Sequence, residues 1–140
     1  MFRATMNTVD SVAIIGAGNM GSGIAQKSAQ EQFNVQMVDR EEQWVNRGEK
    51  IISDFLKEAI ERRIFRPDQV ESIKNRITGV VGTENVAPDT DLVIEAVFED
   101  FDIKTAVFRT LDKVCDEKTI LASNTSSLSV NELAKATGRP

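Results

Sequence analysis

Gly16-Ala17-Gly18-Asn19-Met20-Gly21 spells a G-x-G-x-x-G turn, and Asp39 follows 23 residues after Gly16. Glycine at those spacings suits anion binding. Gly16 permits a tight turn, Gly18 leaves the backbone open to a diphosphate, and Gly21 lets a following helix lie close to the preceding strand. Free N–H groups at the helix start, with the positive end of its dipole, then face the anion. Gly23 reads as further room for close packing. A carboxylate at Asp39 accepts hydrogen bonds from the adenosine ribose of a dinucleotide and repels a 2′-phosphate, which favours NAD(H) over NADP(H). Arg40 is ambiguous, because a guanidinium also meets a 2′-phosphate. With Asp39 before it, its stem reads as a cover for the adenine plane. The alternative is a glycine turn that binds nothing, with Asp39 a solvated loop residue.

Other chemistries are excluded by residues the chain lacks. It has no histidine, no tyrosine and a single cysteine, Cys115. That argues against a zinc site and rules out a histidine-dependent triad built within the chain. Acid–base work near neutral pH falls to Lys, Asp or Glu, or to residues outside the chain. Cys115 cannot form an intrachain disulfide and reads as a buried thiol in a reducing, cytoplasmic compartment. Seventeen basic against 22 acidic side chains give a net charge of −5, which argues against nucleic acid as a partner. No apolar run approaches the roughly 20 residues of a membrane helix. Met1–Asp10 has no apolar core of a secretory signal.

The elements that position these residues alternate. The 140 residues, 41% hydrophobic and 28% charged, suit one domain over residues 1–140. Strands are expected at Ser11–Ile15, Phe33–Val38, Ile77–Val81, Leu92–Val97 and Thr119–Ala122. Helices are expected at Asn19–Gln30, at the 3.6-period stretch from Trp44 to Ile60, at Asp68–Lys74 behind Pro67, from Ile103 to Val114, and at Ser129–Ala136. Trp44 and Phe55 read as core. Glu95 is the odd residue in an apolar strand and reads as pointing out at its carboxyl end. Alternation of this kind implies right-handed crossovers and a doubly wound, mostly parallel α/β sheet. A long helical excursion follows the second strand.

Three segments carry a family resemblance. They are Gly16 to Ala25, Asp91-Leu92-Val93-Ile94-Glu95-Ala96-Val97-Phe98-Glu99, and Leu121-Ala122-Ser123-Asn124-Thr125-Ser126-Ser127-Leu128. In order and spacing they resemble the Rossmann-type N-terminal domain of the 3-hydroxyacyl-CoA dehydrogenases, from about Val9 to the last residue. The resemblance implies an NAD-dependent oxidoreductase of fatty-acid β-oxidation or butanoate-type metabolism. It places Ala96 and Val97 beside the cofactor and Glu99 on the nicotinamide-side ribose. Lys104 falls near cofactor and substrate, Ser126 on the substrate's 3-hydroxyl, and Asn124 in the same loop. Arg62 and Arg63, near the end of the long helix, would attract the phosphates of an acyl-CoA. Each has a plainer reading: solvated charges for Glu99, Lys104, Arg62 and Arg63, and turn residues for Ser126 and Asn124.

The resemblance also implies a catalytic histidine and its orienting glutamate beyond Pro140, with a last strand and a helical C-terminal domain. The expectation is a fragment that binds NAD(H) without turnover. With the family's strand order 3-2-1-4-5-6, Thr119–Ala122 becomes an exposed edge, and such edges invite self-association. A non-catalytic nucleotide-binding or interaction module, or a β-hydroxyacid dehydrogenase acting on a free acid, are the competing readings.

Overall fold

Val12 and Ile14 face one side of the sheet and Ala13 and Ile15 the other, so β1 (Ser11–Ile15) is buried on both faces. That is the period-2 geometry of a strand between two helical layers. The computed structural model describes residues 8–139. Along it run β1, α1 (Asn19–Gln30), β2 (Asn34–Asp39), α2 (Glu42–Glu61), α3 (Pro67–Asn75) and β3 (Ile77–Val81). A 3₁₀ turn at Thr83–Asn85 leads to β4 (Leu92–Glu95), α4 (Phe101–Val114), β5 (Ile120–Ser123) and α5 (Val130–Ala134). The sheet order is β3-β2-β1-β4-β5, every pair parallel. One core packs Val12, Ile14, Val35 and Met37 against α1, α2 and α3. The other packs Ala13, Ile15, Val38 and Val93 against α4 and α5.

The doubly wound architecture matches the expectation, and several details correct it. β2 begins after Phe33 and includes Asp39. β4 stops at Glu95, leaving Ala96 and Val97 in the loop. On α2 the buried stripe is Val45, Gly48, Ile52, Leu56 and Ala59. Trp44 and Phe55 each precede a stripe residue by one position, about 100° round the helix. Trp44 is therefore only partly buried and Phe55 is 52% exposed; neither is core. Gly23 is exposed, with nothing near where a side chain would stand, so it does not serve close packing.

β5 pairs with β4 alone and is an open edge among the described residues. A groove of about 770 Å³ runs beside it, lined by Thr119–Ser123 and by Val130, Leu133 and Thr137. Below it, α4 ends at Cys115 without a glycine. A side chain ties down the chain just beyond it: the Arg139 guanidinium donates to the C-cap carbonyl, Cys115 O, at 2.8 Å, and in the following loop to Asp116 O at 2.7 Å and Thr119 O at 2.9 Å. Asp112 Oδ1 accepts from Arg139 Nε at 2.9 Å.

Acidic groups tie the lower end of this fold together. The N–H groups of Asp10 and Ser11 hold the Asp91 carboxyl below the usual carboxylate range, and the Gly138 N–H with Arg139 does the same for Asp112. A carboxyl depressed by folding stabilises fully above its unfolded value, near 4, and loses that contribution as pH falls through its folded value. The melting temperature should hold from neutral pH to about 5 and fall steeply below about 4. Asp91→Asn should flatten that fall in a pH series of thermal melts; an equally steep fall in the variant would count against Asp91 as a contributor.

Candidate cofactor site

At the carboxyl end of β1 the chain turns through Gly16 at φ +113°, a region only glycine enters freely. A Cβ there would stand 2.6 Å from Ala96 O, so the loop after β4 packs directly on the turn. Gly16 N donates to Val38 O at 2.7 Å and Ala96 N to Ile15 O at 2.8 Å, fixing the turn to both neighbouring strands. A Cβ on Gly21 would overlap Gly16 O, so α1 begins in backbone contact with that turn. Sequence reasoning missed Gly48: a Cβ there would lie 2.7 Å from Ala17 O, so α2 rests on the turn from the other side. A glycine in the middle of an amphipathic stripe was the available signal.

Gly18 differs from these. Its φ is −76°, open to any residue, and nothing lies within 4 Å of where its Cβ would be. It is the N-cap of α1, yet no side chain caps that helix and no acidic residue stands in its first turn. Among the described residues, nothing accepts from the N–H groups of Gly18, Asn19 or Met20. Helix starts with free donors of this kind take water or an anion. The donor set and the bare Gly18 therefore fit a dinucleotide diphosphate.

Asp39 sits beside this opening, half-buried at the end of β2. Its Oδ2 accepts from Ala17 N at 2.9 Å and its Oδ1 from Arg40 N at 2.8 Å. Asp39 thus holds the glycine turn as well as facing the opening. Each carboxylate oxygen keeps a lone pair for a further donor. Arg40 is exposed, its Nε 4.0 Å from Glu41 Oε1.

Across the switch point between β1 and β4, a second group forms. Glu95 is fully buried and Lys104 is 2% exposed, which overturns the expectation that Glu95 points outward and the plain reading of Lys104 as a solvated charge. Lys104 Nζ donates to Glu95 Oε2 at 2.5 Å and Val97 O at 3.2 Å, and lies 3.6 Å from Glu99 Oε1. Asp100, whose side chain accepts from Ile103 N at 3.0 Å, caps α4 and sets the turn of helix that delivers the lysine. Glu99 is exposed and accepts from Thr125 Oγ1 at 2.8 Å. That hydroxyl, with the Ser126 N–H and the Lys104 ammonium, holds the Glu99 carboxyl below its ordinary range. Ser126 and Asn124 are exposed in the loop after β5, with Asn124 N donating to Glu95 O at 2.8 Å.

The structure therefore gathers Gly16–Gly21, Asp39, Ala96, Val97, Glu99, Lys104, Asn124 and Ser126 around the carboxyl ends of β1, β2, β4 and β5. It does not bring in Arg62 and Arg63. They follow the last of the 20 residues of α2, about 30 Å along its axis from the end nearest the turn. Arg62 is paired there with Glu58 at 2.7 Å. Among the described residues, no helix is long and apolar enough to cross a membrane.

Known proteins resemble this chain over most of its length. A probable 3-hydroxybutyryl-CoA dehydrogenase of Bacillus subtilis is 41% identical over 132 residues, covering 94% of this chain and 46% of its own length. The mitochondrial hydroxyacyl-coenzyme A dehydrogenase of Sus scrofa is 37% identical, covering 94% of this chain and 43% of its own. The crystal structure of (S)-3-hydroxybutyryl-CoA dehydrogenase from Ralstonia eutropha superposes with a TM-score of 0.90 at 36% identity, over 94% of this chain and 46% of that one. The chain thus spans slightly less than half the length of these relatives. The family described as 3-hydroxyacyl-CoA dehydrogenase, NAD binding domain, matches residues 11–140. On that match, over nearly its whole length, the chain belongs to the NAD-binding domain family of the 3-hydroxyacyl-CoA dehydrogenases.

Proposed function

We propose that this chain is the cofactor-holding part of an enzyme that oxidises a (S)-3-hydroxyacyl-CoA to the 3-ketoacyl-CoA, with NAD(H) lying across the carboxyl ends of the strands. One observation carries the reading: the acceptor-free N–H groups at Gly18–Met20 open beside the Asp39 carboxylate. In this reading the Gly16–Gly21 turn binds the diphosphate and Asp39 the adenosine ribose, with Arg40 over the adenine. Ala96 and Val97 wall the middle of the cofactor. Glu99 takes the nicotinamide-side ribose, and Lys104 braces Glu99 and Val97 from below. Asn124 shapes the loop from which the Ser126 hydroxyl binds the substrate's 3-hydroxyl.

Bound NAD+ supplies the hydride acceptor. The hydroxyl proton needs a base, which typically contributes roughly 10²–10⁴-fold. With no histidine in the chain, that base is assigned to a residue outside it, and the acyl pocket to a further domain. The open edge of β5 supports self-association of the isolated chain. A single buried thiol and the net charge of −5 support a cytoplasmic protein acting on a small-molecule acyl-CoA rather than on nucleic acid.

Calorimetric titration tests the reading. NADH should bind at one site, and NADPH at least about tenfold more weakly, because its 2′-phosphate meets the Asp39 carboxylate. The purified 140-residue chain should show no oxidation of 3-hydroxybutyryl-CoA. Equal affinity for the two cofactors, or turnover by this chain alone, would overturn it.

A further inference from the structure

Glu95 is a charged side chain buried at the carboxyl end of an interior strand, and nothing in the proposed chemistry uses it. Its contacts are specific. Oε2 accepts from Lys104 Nζ at 2.5 Å and from Val97 N at 2.8 Å; Oε1 accepts from Ser123 Oγ at 2.6 Å. Ser123 Oγ in turn accepts from Thr125 N at 3.2 Å, and Thr125 Oγ1 donates to Glu99 and accepts from Leu128 N at 3.0 Å. With Lys104 lying 3.6 Å from Glu99, the contacts close into a ring: Glu95, Lys104, Glu99, Thr125, Ser123 and back to Glu95. The ring joins β4, the loop after it, α4, β5 and the loop after β5, which between them carry Glu99, Lys104, Asn124 and Ser126.

We infer that Glu95 is a positioning residue: its buried carboxylate fixes the Lys104 ammonium and the Ser123–Ser126 turn in one geometry, so that Glu99 and Ser126 present to cofactor and substrate already aligned. The inference rests on the site proposed above. A side chain kept only for stability would not need charge here, since packed apolar residues replace a buried ion pair at little or no loss. What an apolar pair does not supply is direction. The carboxylate orients one hydroxyl, one ammonium and one backbone N–H at once, and each of these sets the next group in the ring.

Glu95→Gln keeps the shape and removes the charge. Ser123→Ala cuts the link to the turn and leaves the buried Glu95–Lys104 pair intact, so it tests the same idea if the first variant folds poorly. NADH affinity is measured by fluorescence titration well below each melting temperature, and amide hydrogen exchange is read at Thr125, Ser126 and Leu128 against β1. Glu95→Gln should weaken NADH by about tenfold and Ser123→Ala by about threefold. Both should speed exchange in the Thr125–Leu128 turn by roughly tenfold while β1 is unchanged. Folded variants with wild-type NADH affinity, or with unchanged exchange in the turn, would overturn the inference. Failure of the wild-type chain to bind NADH would overturn the site itself, and the exchange readout would still decide whether Glu95 orders the turn.

Discussion

Gly18→Asp should abolish NADH binding, by at least about 100-fold, and leave the chain as stable as before or slightly more so. The two effects have opposite signs for one reason. Gly18 is the N-cap of α1, in a backbone conformation any residue adopts, with nothing within 4 Å of where its Cβ would stand. An aspartate fits without strain. Its carboxylate caps the free N–H groups of α1, which is worth a few tenths of a kcal/mol over glycine. The same carboxylate then occupies the place of the diphosphate and repels it. Thermal melts together with NADH titration read both effects on one sample. Undiminished binding would show that the anion does not sit at this helix start.

Gly21→Ala should do the reverse, striking the fold first. A Cβ at Gly21 overlaps Gly16 O, and that carbonyl cannot yield. Gly16 is held by its bond to Val38 O and by its packing on Ala96. Relief requires moving α1 off the turn, which breaks its packing through Ala25 and Ala29. Overpacking in a rigid setting costs about 3 kcal/mol or more. For a domain of this size that lowers the melting temperature by roughly 10 °C, against a total stability of about 5–15 kcal/mol. NADH binding should fall with it, because the shifted helix carries Asn19 and Met20. A variant with an unchanged melting temperature would mean that α1 and the turn are less closely seated than described. The two glycines lie in one motif, and the pair of variants separates its ligand-facing member from its packing member.

The strand–helix alternation was legible because β1 is buried on both faces and its apolar run stops at Gly16; β4 was legible as a strand but not its end at Glu95, because the apolar run continues to Val97. The glycine turn was legible because Gly16 and Gly21 answer to a tight strand-to-helix turn. What resisted was tertiary. Nothing in the spacing of Glu95 and Lys104 pairs them; the pairing depends on α4 returning across the end of β4, which no local periodicity encodes. Trp44 and Phe55 failed for a different reason. A period near 3.6 identifies α2 without fixing the width of its buried face, and both residues fall on the flank of the stripe from Val45 to Ala59. Asp39 was legible as a carboxylate at the right distance from Gly16, but not as the acceptor for Ala17 N that stiffens the turn.

The enclosure of Lys104 has a consequence for chemical labelling. Acylating reagents need an unprotonated amine that they can reach, and this ammonium is shut in beneath α4 with carboxylates and a carbonyl around it. Exposed lysines such as Lys27 and Lys50 should therefore react in the native chain, and Lys104 only after the first turn of α4 lifts away. Mass-spectrometric timing of that one adduct would therefore serve as a clock for local opening at the mouth of the site, and NADH should slow it; an unchanged rate with NADH would count against a dinucleotide seated there.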